Sequence, residues 1–267
     1  MMNIFRFKQI IGFLSYKLRR PHRKGHGIHS PFLFSFVTGA LYKKNQKKSI
    51  LDQIEKIRNE LLNNNETIAI EDMGAGSAKL KQTRRKISDI VRISSSSCKQ
   101  GMLLHKIVNY CKPEIIIELG TCLGIGTMYM ASGSELAKIF SIEGSQSLLQ
   151  LSQQNFYKLS FNNITLKEGN FDEILPSLLK EQGKFDLMYI DGNHRKDAIL
   201  NYFYLSLPYV QNNSMIIFDD IRWSEGMLEA WFEICKNNDV SISLDLYKIG
   251  IVFFNKKLKK QHFEVYY

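Results

Sequence analysis

Residues 116–127 read Ile116-Ile117-Glu118-Leu119-Gly120-Thr121-Cys122-Leu123-Gly124-Ile125-Gly126-Thr127. A short apolar run ending in an acid and followed at once by closely spaced glycines predicts a buried strand that turns directly into a helix. In an open α/β sheet, ligands settle beyond the carboxyl ends of the strands, and the first turn must let backbone approach the ligand. The glycines at 120, 124 and 126 supply that approach. Their spacing, Gly-x-x-x-Gly-x-Gly, differs from the Gly-x-Gly-x-x-Gly of nicotinamide sites, and no Gly-Lys-Ser/Thr follows to make a P-loop. A glycine-rich strand–helix turn without a ligand is the plainer alternative.

Working outward, apolar runs recur at Ile139–Ile142, Ile164–Leu166, Leu187–Ile190 and Met215–Phe218, separated by lengths that suit crossover helices. Such alternation is the signature of a parallel sheet covered on both faces. A helix is expected around Met227–Cys235. Two last runs, Ser241–Leu246 and Gly250–Phe254, lie too close together for a crossover, so they are expected to pair antiparallel. Upstream, helical spacing predicts helices over Ile4–Leu18, Pro31–Tyr42, Leu51–Leu62 and Gly101–Tyr110. The expected organisation is a basic helical or cap region over residues 1–100 and a ligand-binding α/β domain over 101–267.

The strand ends carry the chemistry. Glu143, with Gly144 behind it, closes the second strand, where a carboxylate accepts both hydroxyls of a ribose. Asn170 and Phe171 follow the third, an amide and a ring suited to an adenine.

Glu118-x-Gly120-x-x-x-Gly124, Glu143, Asp186-Leu187-x-x-Ile190-Asp191-Gly192-x-His194 and Phe218-Asp219-Asp220 together resemble a class I S-adenosylmethionine-dependent methyltransferase, over about residues 101–255. The closest type is the small-molecule O-methyltransferases related to catechol O-methyltransferase. The segment His22–Pro31 is similar to one in a bacterial group of methyltransferases of unassigned substrate. The resemblance implies a Rossmann-like, mostly parallel seven-stranded sheet closed by a terminal antiparallel hairpin. It implies further that Glu118, Gly120, Thr121 and Gly124 face the methionine end of the cofactor, that Glu143 and Gly144 take the ribose, that Asn170 and Phe171 border the adenine, and that Asp191 lies near the sulfonium. Family members often carry a hydroxyl where this chain has Gly126.

Asp191, Asp219 and Asp220 end strands that are neighbours in such a sheet. Three converging carboxylates would repel or hold a proton unless a hard cation such as Mg²⁺ relieved them, and metal-dependent relatives place ligands at these positions. Helix capping or solvation is the alternative. His194 stands where relatives carry a basic residue facing the acceptor hydroxyl, and it is read as the general base, with Asp191 beside it. The expected reaction is O-methylation of a small hydroxyl acceptor, with metal assistance if the three aspartates bind a cation. A second strand–turn candidate, Glu71–Ser77, lacks a following strand with a terminal acid and reads as an ordered loop.

Composition bounds the rest. Of 267 residues, 44% are apolar and 23% charged, with a net charge of +10, which excludes disorder and allows a sizeable core. Eleven of the 36 Lys and Arg, and none of the 26 Asp and Glu, lie within residues 1–51. A near-neutral body thus carries a basic arm, interleaved with Phe5, Phe7, Phe13, Tyr16, Phe32, Phe34 and Phe36. That arm is expected to dock on the core with its cations solvated; contact with an anionic membrane surface or a nucleic acid, on a degenerate methyltransferase scaffold, is the alternative function. Cys98, Cys111, Cys122 and Cys235 are scattered, so neither a disulfide framework nor a zinc site is indicated, and a cytoplasmic location fits, peripheral at a membrane surface at most.

Overall fold

The computed structural model describes residues 4–43, 49–72 and 81–267. In chain order the elements are α1 (Ile4–Arg19), α2 (Pro31–Phe36) running on into a wide turn over Val37–Leu41, α3 (Ser49–Leu62), β1 (Thr67–Asp72), β2 (Lys81–Lys86), α4 (Ile87–Ser94), α5 (Cys98–Cys111), β3 (Ile115–Leu119), α6 (Ile125–Gly133), β4 (Lys138–Glu143), α7 (Gln146–Lys158), β5 (Ile164–Glu168), α8 (Phe171–Gln182), β6 (Leu187–Ile190), α9 (Lys196–Ser206), β7 (Met215–Phe218), α10 (Glu225–Lys236), β8 (Ile242–Asp245), β9 (Gly250–Phe253) and β10 (Gln261–Glu264). They form two compact units: a central one, Lys43–Glu181, and a terminal one, in which Met1–Tyr42 joins Gln182–Tyr267. The strand–helix alternation expected of residues 101–267 therefore runs through both.

In the central unit β3, β4 and β5 pair in parallel, with Ile116 opposite Ile139 and Ile139 opposite Ile164. An apolar run buried on both faces makes β3, while β5, at the end of the sheet, alternates and is half-exposed. Tyr129 of α6, Ile57 of α3 and Ile90 of α4 share one buried cluster with Leu123 and Phe156. Helices α5 and α6 approach closely because Gly101 has no side chain; a Cβ there would lie 2.1 Å from the Tyr129 ring. β1 and β2 form an antiparallel hairpin, Thr67 opposite Lys86. Of the loop expected at Glu71–Ser77, residues 73–77 lie outside the described residues.

In the terminal unit the strand order is β10-β8-β9-β7-β6. β6 and β7 are parallel, while β9 inserts antiparallel between β7 and β8. The expected hairpin is therefore present. β10 extends the sheet parallel to β8, one strand beyond those expected. Its sequence, Gln261-His262-Phe263-Glu264, has no apolar run to betray it, as suits a half-exposed edge.

The basic arm docks within this unit through its aromatic residues. The Tyr16 hydroxyl donates to the Val265 carbonyl at 2.6 Å, and the Tyr16 ring lies 5.2 Å from that of Tyr247. Phe32 and Phe36 meet Phe253 edge-on. The linker between the helices is a tight turn, with His22, Lys24, Gly25 and Gly27 all at positive φ. A Cβ on Gly25 would lie 2.9 Å from the Phe34 ring, which accounts for glycine in that segment. Ser30 caps α2 by accepting from Leu33 N.

Candidate functional site

The glycine-rich turn of the central unit is built as its spacing requires. Gly124 sits at φ +77°, and a Cβ on it would come 2.4 Å from the Phe156 ring. Gly120, at φ +104°, and Cys122, at +52°, bend the chain away from the end of β3. The bend aims Cys122 N–H at Glu143, whose Oε2 accepts it at 2.9 Å while Oε1 accepts from Ser145 N at 3.0 Å. Glu143 is thus held by the backbone of two turns, its carboxylate an acceptor fixed in place at the end of β4. Burial raises its carboxyl above the ordinary range despite the Ser145, Cys122 and Gly144 amides. Asn170 caps α8 by accepting from Asp172 N at 3.1 Å, and Phe171 opens that helix half-buried. The nearby Ser145 hydroxyl is buried without a hydrogen-bond partner among the described residues.

Glu118 and Thr121 lie beneath the turn rather than on its surface. Glu118 is 1% exposed and accepts from Thr127 Oγ1 at 2.6 Å and from Ser141 Oγ at 2.5 Å. Since Ser141 spends its proton on Glu118, Thr121 donates to Ser141, at 2.5 Å. Gly126, where relatives often carry a hydroxyl, leaves a space next to Ser96, whose Oγ would lie 3.0 Å from a Cβ at position 126. A hydroxyl is therefore present at this point of the turn, delivered from the segment between α4 and α5. Sequence reading missed Ser96 because it is hidden in the run Ser94–Ser97; no local pattern marks it.

Burial lifts the Glu118 carboxyl to about 7, outweighing its two hydroxyl donors, with the charge of Glu143 adding to the rise. The folded chain then holds a proton that the unfolded chain releases between its ordinary value of 4.5 and about 7. Stability contributed by this group is complete at low pH and is lost as pH rises through that window, by about 3 kcal/mol in all. Urea unfolding at pH 5 and pH 8 should show this loss in the natural chain and not in Glu118→Gln. Equal pH dependence in the two would contradict it.

In the terminal unit the ends of β6 and β7 bring Asp191, Asp219 and Asp220 together. The Tyr189 hydroxyl lies 3.0 Å from Asp191 Oδ2 and 3.5 Å from Asp219 Oδ2, so its single proton serves Asp191. Burial, then the Asp219 charge, push Asp191 well above the usual carboxylate range. Asp220 is raised by the same two causes, partly offset by Lys248 and His194. His194 Nε2 is 3.9 Å from Asp191 Oδ1, and its Nδ1 is buried without a hydrogen-bond partner among the described residues. The Trp223 ring stands 5.9 Å from the imidazole and is largely exposed.

The divalent cation expected at Asp191, Asp219 and Asp220 does not fit this arrangement. Lys248, from the turn between β8 and β9, places Nζ 3.6 Å from Asp219 Oδ2 and 3.4 Å from Asp220 Oδ1. An ammonium thus already relieves the repulsion that called for a cation. Burial opposes its charge, but Asp219, Asp220 and Asp191 outweigh that and hold it protonated above its ordinary range. Among the described residues no group of three or more His, Cys, Asp or Glu is arranged to hold a metal ion. Lys248 escaped the sequence reading because it lies far from the aspartates in sequence and follows no motif.

Behind these carboxylates, Arg222 grips Asp245 with two parallel bonds, 2.8 and 2.7 Å, and donates to the Tyr247 carbonyl at 2.6 Å. This tie fixes the segment after Asp220 to the hairpin that carries Lys248.

A family model described as a methyltransferase domain matches residues 117–221. A catechol O-methyltransferase of Niastella koreensis is 27% identical over 130 residues, 48% of this chain and 58% of that protein. The O-methyltransferase hkm8 of Aspergillus hancockii is 28% identical over 129 residues, 46% of this chain and 50% of its own length. The chain therefore spans only about half the length of these curated relatives. Among solved structures, the SAH-bound Podospora anserina methyltransferase PaMTH1 superposes with a TM-score of 0.59 at 16% identity, covering 85% of this chain and 97% of that one. The O-methyltransferase TomG of Streptomyces achromogenes, in complex with SAM, gives 0.57 at 16% identity, covering 81% and 95%. The fold is the Rossmann-like α/β fold of the methyltransferases.

Proposed function

We propose that this chain, whose residues 117–221 match a family model described as a methyltransferase domain, binds S-adenosylmethionine and transfers its methyl group to a hydroxyl oxygen of a small acceptor. The observation that carries the reading is the turn locked between Gly120 and Gly124, with the Glu143 carboxylate held under it by the turn's own backbone. When bound, the cofactor supplies an electrophilic methyl on a sulfonium and leaves as a neutral thioether.

The rest is the work of this chain's own groups. Glu143, with Gly144, takes the ribose hydroxyls, and Asn170 and Phe171 border the adenine. Gly120, Thr121 and Gly124, with Glu118 beneath them, shape the methionine end, and Ser96 supplies the hydroxyl that Gly126 lacks. Asp191 serves the sulfonium side. His194 takes the acceptor's O–H proton on its imidazole. Lys248, not a metal, supplies the positive charge that favours the acceptor oxyanion. Alignment of the reactants contributes most of the rate gain.

The catechol-acting relative supports a phenolic acceptor, and the exposed Trp223 ring beside His194 suits one. Four scattered cysteines, none in a disulfide among the described residues, support a reducing, cytoplasmic setting, and no described helix is long and apolar enough to cross a membrane. The test is methyl transfer from label-bearing S-adenosylmethionine to a panel of catechols, phenols and amines. Label in an alkali-stable aryl ether is the expected result, and label that appears only on amine acceptors would reject the hydroxyl class.

A further inference from the structure

The two faces of α1 are inverted relative to an ordinary surface helix. Its polar and small positions face the protein. The Tyr247 hydroxyl donates to the Gln9 carbonyl, a Cβ on Gly12 would lie 3.3 Å from that hydroxyl, and Tyr16 is 4% exposed. The opposite face carries Phe7, Ile10, Ile11, Leu14 and Leu18, each at least half exposed and Leu18 84% exposed. Positions 7, 10, 11, 14 and 18 fall at intervals of three and four, so these side chains make one stripe about 100° wide along the solvent side. On the same helical projection, Lys17 lies beyond one edge of the stripe and Arg19 beyond the other. The 16-residue helix is about 24 Å long, has acids in neither end turn, and is interrupted by too many cations to span a bilayer.

The geometry points to α1 as an interfacial helix that seats the chain on an anionic lipid surface, its apolar stripe sunk among the acyl chains and its basic edges at the headgroups. Charge decides among the occupants. A second copy packed stripe to stripe would bring cationic edges against cationic edges; Arg19 has Glu264 at 3.0 Å, but no acid lies within residues 1–51 to relieve the rest. A nucleic acid would satisfy the cations and leave five large apolar side chains in water. An anionic bilayer takes both. The seat is independent of the methyl-transfer chemistry and is read without it.

The test is co-sedimentation of the full chain with vesicles of phosphatidylcholine containing roughly 30% phosphatidylglycerol, beside vesicles of phosphatidylcholine alone. The natural chain should pellet with the anionic vesicles, and an increase in salt should weaken binding as the headgroup attraction is screened. Ile10→Ser with Leu14→Ser should weaken it by about tenfold or more, because two side chains lose their apolar burial. Both sites are solvent-facing, so an unchanged Tm is expected of that variant. Lys17→Glu should weaken binding to anionic vesicles and leave the weaker binding to neutral ones unchanged. Three results would overturn the proposal: natural chain that stays in the supernatant with anionic vesicles, vesicle binding untouched by the double substitution, or a dimer in solution that the same double substitution converts to monomer.

Discussion

Arg222→Ala is expected to cost about 3–5 kcal/mol of stability, because it leaves a buried carboxylate with no counter-ion. Asp245 is 2% exposed and takes both prongs of the guanidinium, which also donates to the Tyr247 carbonyl. One side chain therefore ties the segment after Asp220 to the hairpin turn after β8. Arg222→Lys should recover only part of the loss, since an ammonium cannot meet two carboxylate oxygens in parallel. Replacing Arg222 and Asp245 together by Met and Leu should recover more, because no charge is then stranded. Both tryptophans, Trp223 and Trp231, lie in the same unit as this pair, so urea unfolding followed by tryptophan emission reports on it directly. A loss below about 1 kcal/mol, the range of an exposed pair, would contradict the buried-pair account.

The second large effect is on turnover. Lys248→Met should lower kcat roughly 10²-fold, the cost of removing one preorganised group that stabilises developing negative charge. KM for the cofactor should change little, since Lys248 is assigned to the acceptor side. Turnover of the natural chain should be unchanged by a divalent-cation chelator, because the Lys248 ammonium stands 3.4 and 3.6 Å from two of the three carboxylates that a cation would need. Activity abolished by the chelator and restored by Mg²⁺ would return the aspartates to the role of metal ligands and overturn this assignment.

How far these features were legible in the sequence follows from the range of the interactions that make them. β3, β4, β6 and β7 are apolar runs buried on both faces, and their ends fall within a residue or so of where the runs stop. Glu143 ends β4 where the apolar run stops, and its proposed use follows from that place after a glycine turn. β2, with the sequence Lys-Gln-Thr-Arg-Arg-Lys, shows neither alternation nor an apolar run; it is a strand only because β1 offers it a partner. β10 is hidden for the same reason. Asp191, Asp219 and Asp220 come together as their strand ends predict, whereas Lys248 beside them comes from a hairpin turn with no pattern of its own. Likewise Glu118 reads as a cofactor-facing acid, while its partners Thr127 and Ser141 show it as the buried centre of a hydroxyl network, and only tertiary packing reveals that. The N-terminal arm was legible as a docked helix pair. That α1 turns its apolar side outward follows from Tyr247 claiming the opposite face, which no local pattern could show.

Isothermal titration of the purified chain with S-adenosylmethionine tests the central claim most directly. Saturable one-site binding is predicted, weakened roughly 10²-fold in Glu143→Ala, where charge-assisted bonds to the ribose are lost. Glu143→Gln, which keeps the acceptor oxygen but not the charge, should fall between. No heat of binding in the natural chain, or equal affinity in the natural chain and Glu143→Ala at matched Tm, would contradict the account.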